Sequence, residues 1–75
     1  MGEYLKRNSS GRWQIDNLEL TSGAIVDLLI GGHWISGTVE FWNGDYLWFS
    51  HGDGVPISLD LSIKARVTPG RYTNG

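Results

Sequence analysis

Three side chains close together near the middle of the chain, Ser50, His51 and Asp53, are the residue types of a hydrolytic triad. A triad works by facing geometry: the imidazole takes the hydroxyl proton, the carboxylate holds the other ring nitrogen, and an oxyanion hole sits beside them. Near-neighbours in a turn that also holds Gly52 and Gly54 do not supply this, so a solvated loop is expected here. His33 and His51, with Asp45 or Asp53, have the donor types for a metal, but their spacing follows no zinc or calcium pattern. No metal or cofactor is expected. The acids are scattered one per segment rather than paired for general acid–base work. Gly31-Gly32 and Gly52-Asp53-Gly54 lead into strand-like sequence, whereas a phosphate-cradling loop needs a helix N-terminus behind it. A non-enzymatic role is the expectation.

The remaining chemistry is aromatic. Trp34, Trp42, Tyr46 and Trp48, with Glu40 among them and Asp45 at a turn, have three possible uses. They can be core covered by other segments. They can form a protein or homo-oligomer interface, where Trp and Tyr are preferred anchors. They can also stack on a planar or cationic ligand, with the acids attracting positive charge.

The elements that must position these residues are few. Seventy-five residues make one small domain, too short for two lobes around a large cleft. Cysteine is absent, which removes disulfides and thiolate metal sites. The net charge of −2 hides an uneven distribution. Lys6, Arg7 and Arg12 against Glu3 give the first twelve residues +2, and Lys64, Arg66 and Arg71 give residues 64–75 +3. Residues 13–63 hold seven acids and no Lys or Arg. An acidic centre disfavours nucleic acid as a partner, because phosphate neutralisation needs clustered cations. Binding through Lys6, Arg7, Arg12, Lys64, Arg66 and Arg71 is possible only if the two ends of the chain meet. No apolar run follows Lys6-Arg7, and the longest apolar stretch, residues 25–30, is broken by Asp27, so a cytoplasmic, non-membrane location is expected.

Helical periodicity is weak, while β-branched and aromatic runs alternate with glycine-rich turns. The pattern predicts strands at 12–17, 24–30, 33–42, 46–50, 55–59 and 64–67, hairpin turns at Gly31-Gly32 and Asn43-Gly44, and a helical turn at 60–62. Residues 1–10 and 69–75 are expected to be flexible tails around a domain at 11–68. For the central hairpin, a three-residue loop over Asn43-Gly44-Asp45 segregates the faces best. Trp42 then opposes Tyr46, and Glu40 opposes Trp48. Ile35, Gly37, Val39, Phe41, Leu47 and Phe49 become core, while Trp34, Trp42, Tyr46 and Trp48 share the outer face.

Short strands, a long first connector, two tight hairpins and a turn before the last strand follow the order of a five-stranded SH3-like small barrel. The run 23–27, then Gly32, Trp34, Gly37 and Val39, then Tyr46-Leu47-Trp48 and Ala65-Arg66-Val67, resembles the Tudor and Agenet type of that barrel. Residues 11–15, 19–23 and 64–67 are similar to a small bacterial and phage domain family of unknown function common on mobile elements. The resemblance implies the fold and leaves function largely open. Two roles are expected from these features. The first is a binding module acting through Trp34, Trp42, Tyr46, Trp48, Glu40 and Asp45 on a protein partner or on itself. The second, implied by the mobile-element resemblance, is a counter-defence protein that sequesters a nucleotide signal or blocks a host protein.

Overall fold

Runs of β-formers between turn residues give nine strands in a computed structural model that describes residues 2–68. They are β1 (Glu3–Tyr4), β2 (Lys6–Arg7), β3 (Trp13–Ile15), β4 (Leu18–Glu19), β5 (Ile25–Ile30), β6 (His33–Trp42), β7 (Asp45–Ser50), β8 (Pro56–Ser58) and β9 (Lys64–Val67). The chain is all-β, with no helix among the described residues. In particular, none of them forms a helix long and apolar enough to cross a membrane. The strands lie in two antiparallel sheets rather than in the expected barrel of five: a six-stranded sheet ordered β1-β9-β5-β6-β7-β8 and a three-stranded sheet ordered β2-β3-β4.

The centre of the larger sheet is a meander closed by two tight turns. Gly31 and Gly32 have φ of 57° and 81°, and Asn43 and Gly44 have φ of 52° and 82°. Both pairs occupy the left-handed region that a two-residue hairpin matched to strand twist requires, and Asn-Gly enters it at low cost. The β6–β7 register is therefore set by a two-residue turn, with Trp42 opposite Asp45, Phe41 opposite Tyr46 and Val39 opposite Trp48. This corrects the three-residue loop expected from face segregation, and it exchanges the faces of β7. Trp48, expected on the outer surface, is 0% exposed in the core beside Val39. Its Nε1 donates to the Val26 carbonyl at 3.0 Å, which satisfies the indole inside an apolar environment. Gly37 lies in mid-strand because a Cβ there would run into the Trp48 ring and the Phe49 carbonyl.

Val26 and Leu28 of β5, Val39 of β6, Trp48 of β7 and Ala65 of β9 form a single core with Trp13, Ile15, Leu20 and Leu59. The start of the chain is part of it. Residues 3–7, expected in a flexible tail, are two strands: β1 pairs with β9, β2 pairs with β3, and the Leu5 amide between them donates to the Ile63 carbonyl at 2.8 Å. Leu5 is 2% exposed. One buried leucine and the backbone ladders on either side of it are enough to order the segment. The turn expected to be helical at 60–62 is held differently. The Asp60 carboxylate accepts from the Ser62 amide and hydroxyl, and the Ile63 amide donates to the Asp60 carbonyl, which makes a β-turn. Residues 69–75, expected to be a tail, lie outside the described residues, and Arg71 with them.

Candidate functional site

The ladder between β5 and β6 ends at Ile25 and Thr38, yet β6 continues to Trp42. Its last residues and the start of β7 form a hairpin tip, anchored on one side by the preceding loop. The Val39 amide donates to the Ala24 carbonyl at 2.8 Å, and the Phe41 amide donates to the Ser22 hydroxyl at 3.0 Å. The second bond caps a backbone donor that would otherwise be unpaired at a sheet edge.

Both faces of this tip carry aromatic side chains. Phe41 and Tyr46, a cross-strand pair, meet edge to face with centroids 4.9 Å apart and planes at 64°. Phe41 is nevertheless 53% exposed. On the opposite face Trp42 is 62% exposed, sits directly across from Asp45, and has Glu40 two residues before it on the same side of the strand. Asp45 is fixed in turn by the Tyr46 amide, which donates to its carboxylate at 2.8 Å. The tip therefore offers an indole face flanked by two exposed carboxylates, an arrangement that attracts a cation to the negative face of the ring.

Of the residues expected to form one aromatic surface, Trp42, Glu40 and Asp45 share one face of the tip, whereas the two-residue turn puts Tyr46 on the other face with Phe41. Trp48 is removed to the core, and Trp34 is half-buried at the other end of β6. The Arg66 guanidinium stacks on the Trp34 ring at 4.6 Å, and Gly2 packs closely against its edge. Phe41, expected in the core, belongs to the tip. The Asn43-Gly44 dipeptide carried the signal for this, since its strongest preference is for the two-residue turn that puts Phe41 opposite Tyr46.

The basic residues of the two ends do approach one another through the β1–β9 pairing, but most are already engaged. Arg66 donates to Asp27 at 2.8 Å, Arg12 pairs with Glu19 at 3.4 Å, and Lys64 lies 5.4 Å from the Tyr4 ring centre. Arg7 stacks on Trp13 at 4.4 Å. Asp27 is 3% exposed and also accepts from the hydroxyls of Ser36 and Thr68, both at 2.7 Å. Burial pushes its carboxyl pKa up, but the three hydrogen bonds and the Arg66 charge outweigh this and hold it below the ordinary value of 3.8. Asp27 thus ties β5, β6 and β9 together as an ionised centre.

The residues with a triad's chemistry are not aligned as one. His51 Nε2 meets the Thr38 hydroxyl at 2.6 Å, while the Ser50 hydroxyl accepts from the Val55 amide at 3.0 Å. His33 lies at the far end of β6, and no group of three metal-ligating side chains occurs among the described residues.

No curated protein and no solved structure matches this chain. One family model does, over residues 2–67, which takes in every strand and includes the N-terminal segment that β1 and β2 place in the fold. The chain belongs to the family described as Domain of unknown function (DUF5348).

Proposed function

We propose that this domain is a non-enzymatic binding module whose contact surface is the β6–β7 hairpin tip. Its partner is a cationic segment of another protein. The carrying observation is the placement of Trp42, 62% exposed, between Glu40 and Asp45 on one face of a hairpin held by the Ser22 cap. A lysine or arginine side chain laid on the indole gains the ring's quadrupole and two carboxylates at once, and the acidic stretch behind it adds long-range attraction. Phe41 and Tyr46 on the other face supply apolar area for the residues next to that cation. The SH3-like likeness of the sequence, with its resemblance to Tudor and Agenet modules, belongs to this same proposal: a small β scaffold presenting one contact surface.

An NMR titration with a short arginine-rich peptide tests the proposal. Saturable shifts confined to residues 40–46 and the Trp42 indole are expected, with the affinity lowered about tenfold in Trp42→Ala. Unchanged affinity in Trp42→Ala, or shifts centred elsewhere, would refute it. A concentration-dependent dimer in light scattering that Trp42→Ala abolishes would reassign the tip to self-association.

A further inference from the structure

A second surface has the opposite chemistry. Between β2 and the β-turn before β9 runs an open groove of about 790 Å³. Lys6, Arg7 and Trp13 line one wall, and residues 59–62 line the other. Three features of this groove remain unexplained by the fold. First, Trp13 is 4% exposed, and its Nε1 is a buried donor with no partner among the described residues. An unpaired buried N–H is costly, and an N–H at a binding site can be completed by an acceptor that arrives with a ligand. Second, the Lys6 ammonium has no hydrogen bond or ion pair among the described residues, and Arg7 is held only by stacking on Trp13 and one 3.3 Å bond to the Gly11 carbonyl. Third, Leu61 projects into solvent at the apex of the turn, beside the buried Leu59.

The polar side chains left free on the β2 side of the groove are therefore all donors, and they stand next to an apolar shelf. The carboxylate on the lining, Asp60, accepts from the Ser62 amide and hydroxyl, which hold its pKa below the ordinary value and keep it ionised, so an incoming carboxylate is drawn to the Lys6 and Arg7 side of the groove and away from the turn. We propose that this groove binds an acidic, leucine-bearing peptide segment of a partner protein, with carboxylates on Lys6 and Arg7 and an apolar side chain on Leu59 and Leu61. Arg7 exchanges its stacking on Trp13 for an ion pair with the peptide, and the Trp13 N–H, which no group among the described residues satisfies, takes a peptide carbonyl as its acceptor. A polyanionic backbone fits less well. Two cations neutralise few phosphates, Asp60 opposes a third, and the exposed leucine has no role against a sugar–phosphate chain. The groove is separate from the hairpin tip and selects the opposite charge, so the two proposals stand or fall independently.

The test is an NMR titration of the intact chain with a short peptide alternating Glu and Leu. The same peptide with Lys for Glu, a DNA duplex and inorganic phosphate serve as comparisons. Saturable shifts of the Trp13 indole signal and of residues 6, 7 and 59–62 are expected with the acidic peptide alone. Lys6→Glu should weaken that binding about tenfold or more, and Leu61→Ser about fivefold. Both positions are exposed, so both variants should keep the wild-type spectrum elsewhere. Trp13→Phe, which keeps the ring and deletes the donor, should weaken binding about fivefold. Absence of a saturable shift with the acidic peptide, an equal response to the Lys peptide, or no loss in Lys6→Glu and Leu61→Ser overturns the proposal. A stronger response to the duplex, or full reproduction by phosphate, overturns it in favour of a phosphate site.

Discussion

Trp42 stands directly across from Asp45 at the end of the β6–β7 ladder, separated by a two-residue turn in which both residues have positive φ. The same pairing that puts this indole in solvent puts Trp48, three pairs further along β7, into the core. One turn geometry therefore decides which tryptophan holds the fold and which stands exposed at the hairpin tip.

The two tryptophans should respond in opposite ways to truncation. Trp48→Ala is expected to cost about 4 kcal/mol of stability, because it leaves a cavity and an unpaired Val26 carbonyl. Trp42→Ala should lie within about 0.5 kcal/mol of wild type. Gly37→Ala should cost about 3 kcal/mol, since the new methyl group meets the Trp48 ring. Urea unfolding measures all three. Equal effects for Trp42 and Trp48 would restore the three-residue loop.

The turn itself is testable. Gly44→Val forces a β-branched residue into φ of 82° and should destabilise the hairpin by about 1–2 kcal/mol. It should also broaden the amide signals of residues 40–46 while leaving β5 and β9 unchanged.

Residues 3–7 should behave as structure. Leu5→Ala is expected to cost about 2–3 kcal/mol in urea unfolding. Amide exchange at Leu5, whose N–H reaches the Ile63 carbonyl, should be slowed close to the level of β5. Rapid exchange there would return the segment to a tail.

Asp27 gives the domain a defined pH dependence. Its folded pKa is lowered below 3.8, so the unfolded chain takes up the proton first as the solution is acidified. The stabilisation is complete above about pH 5 and is lost as pH falls through the lowered native value. Asp27→Asn should remove about 2 kcal/mol at pH 7, leaving Arg66 without its counter-charge, and should flatten the stability profile below about pH 5. Thermal unfolding across that range measures it. An unaltered slope in the variant would mean that other carboxylates govern acid unfolding.

The central strands were legible because each is a run of β-formers ended by residues that tolerate left-handed backbone. Residues 24–30, 33–42 and 64–67 match β5, β6 and β9 to within a residue. The register was not legible from face segregation. That criterion assumes every apolar residue of a hairpin seeks the core, whereas β6 and β7 extend past the end of β5 and leave Phe41 and Trp42 with no core to enter. The Asn43-Gly44 pair carried the correct answer. The first two strands left no local trace, since two residues have no periodicity and their partners lie at β3 and β9. For the same reason the sequence grouped Trp34 with Trp42, although Arg66 and Gly2 cover the former.

The most direct test of the hairpin tip as a binding surface is the affinity of an arginine-rich peptide for wild type, Trp42→Ala and the double variant Glu40→Gln/Asp45→Asn, measured by calorimetry at low and moderate salt. The expected result is a loss of about tenfold for Trp42→Ala, a similar loss for the double variant, and a weaker salt dependence in the latter. Equal affinities for all three proteins, with the fold intact, would contradict the assignment of function to Trp42 and its two flanking carboxylates.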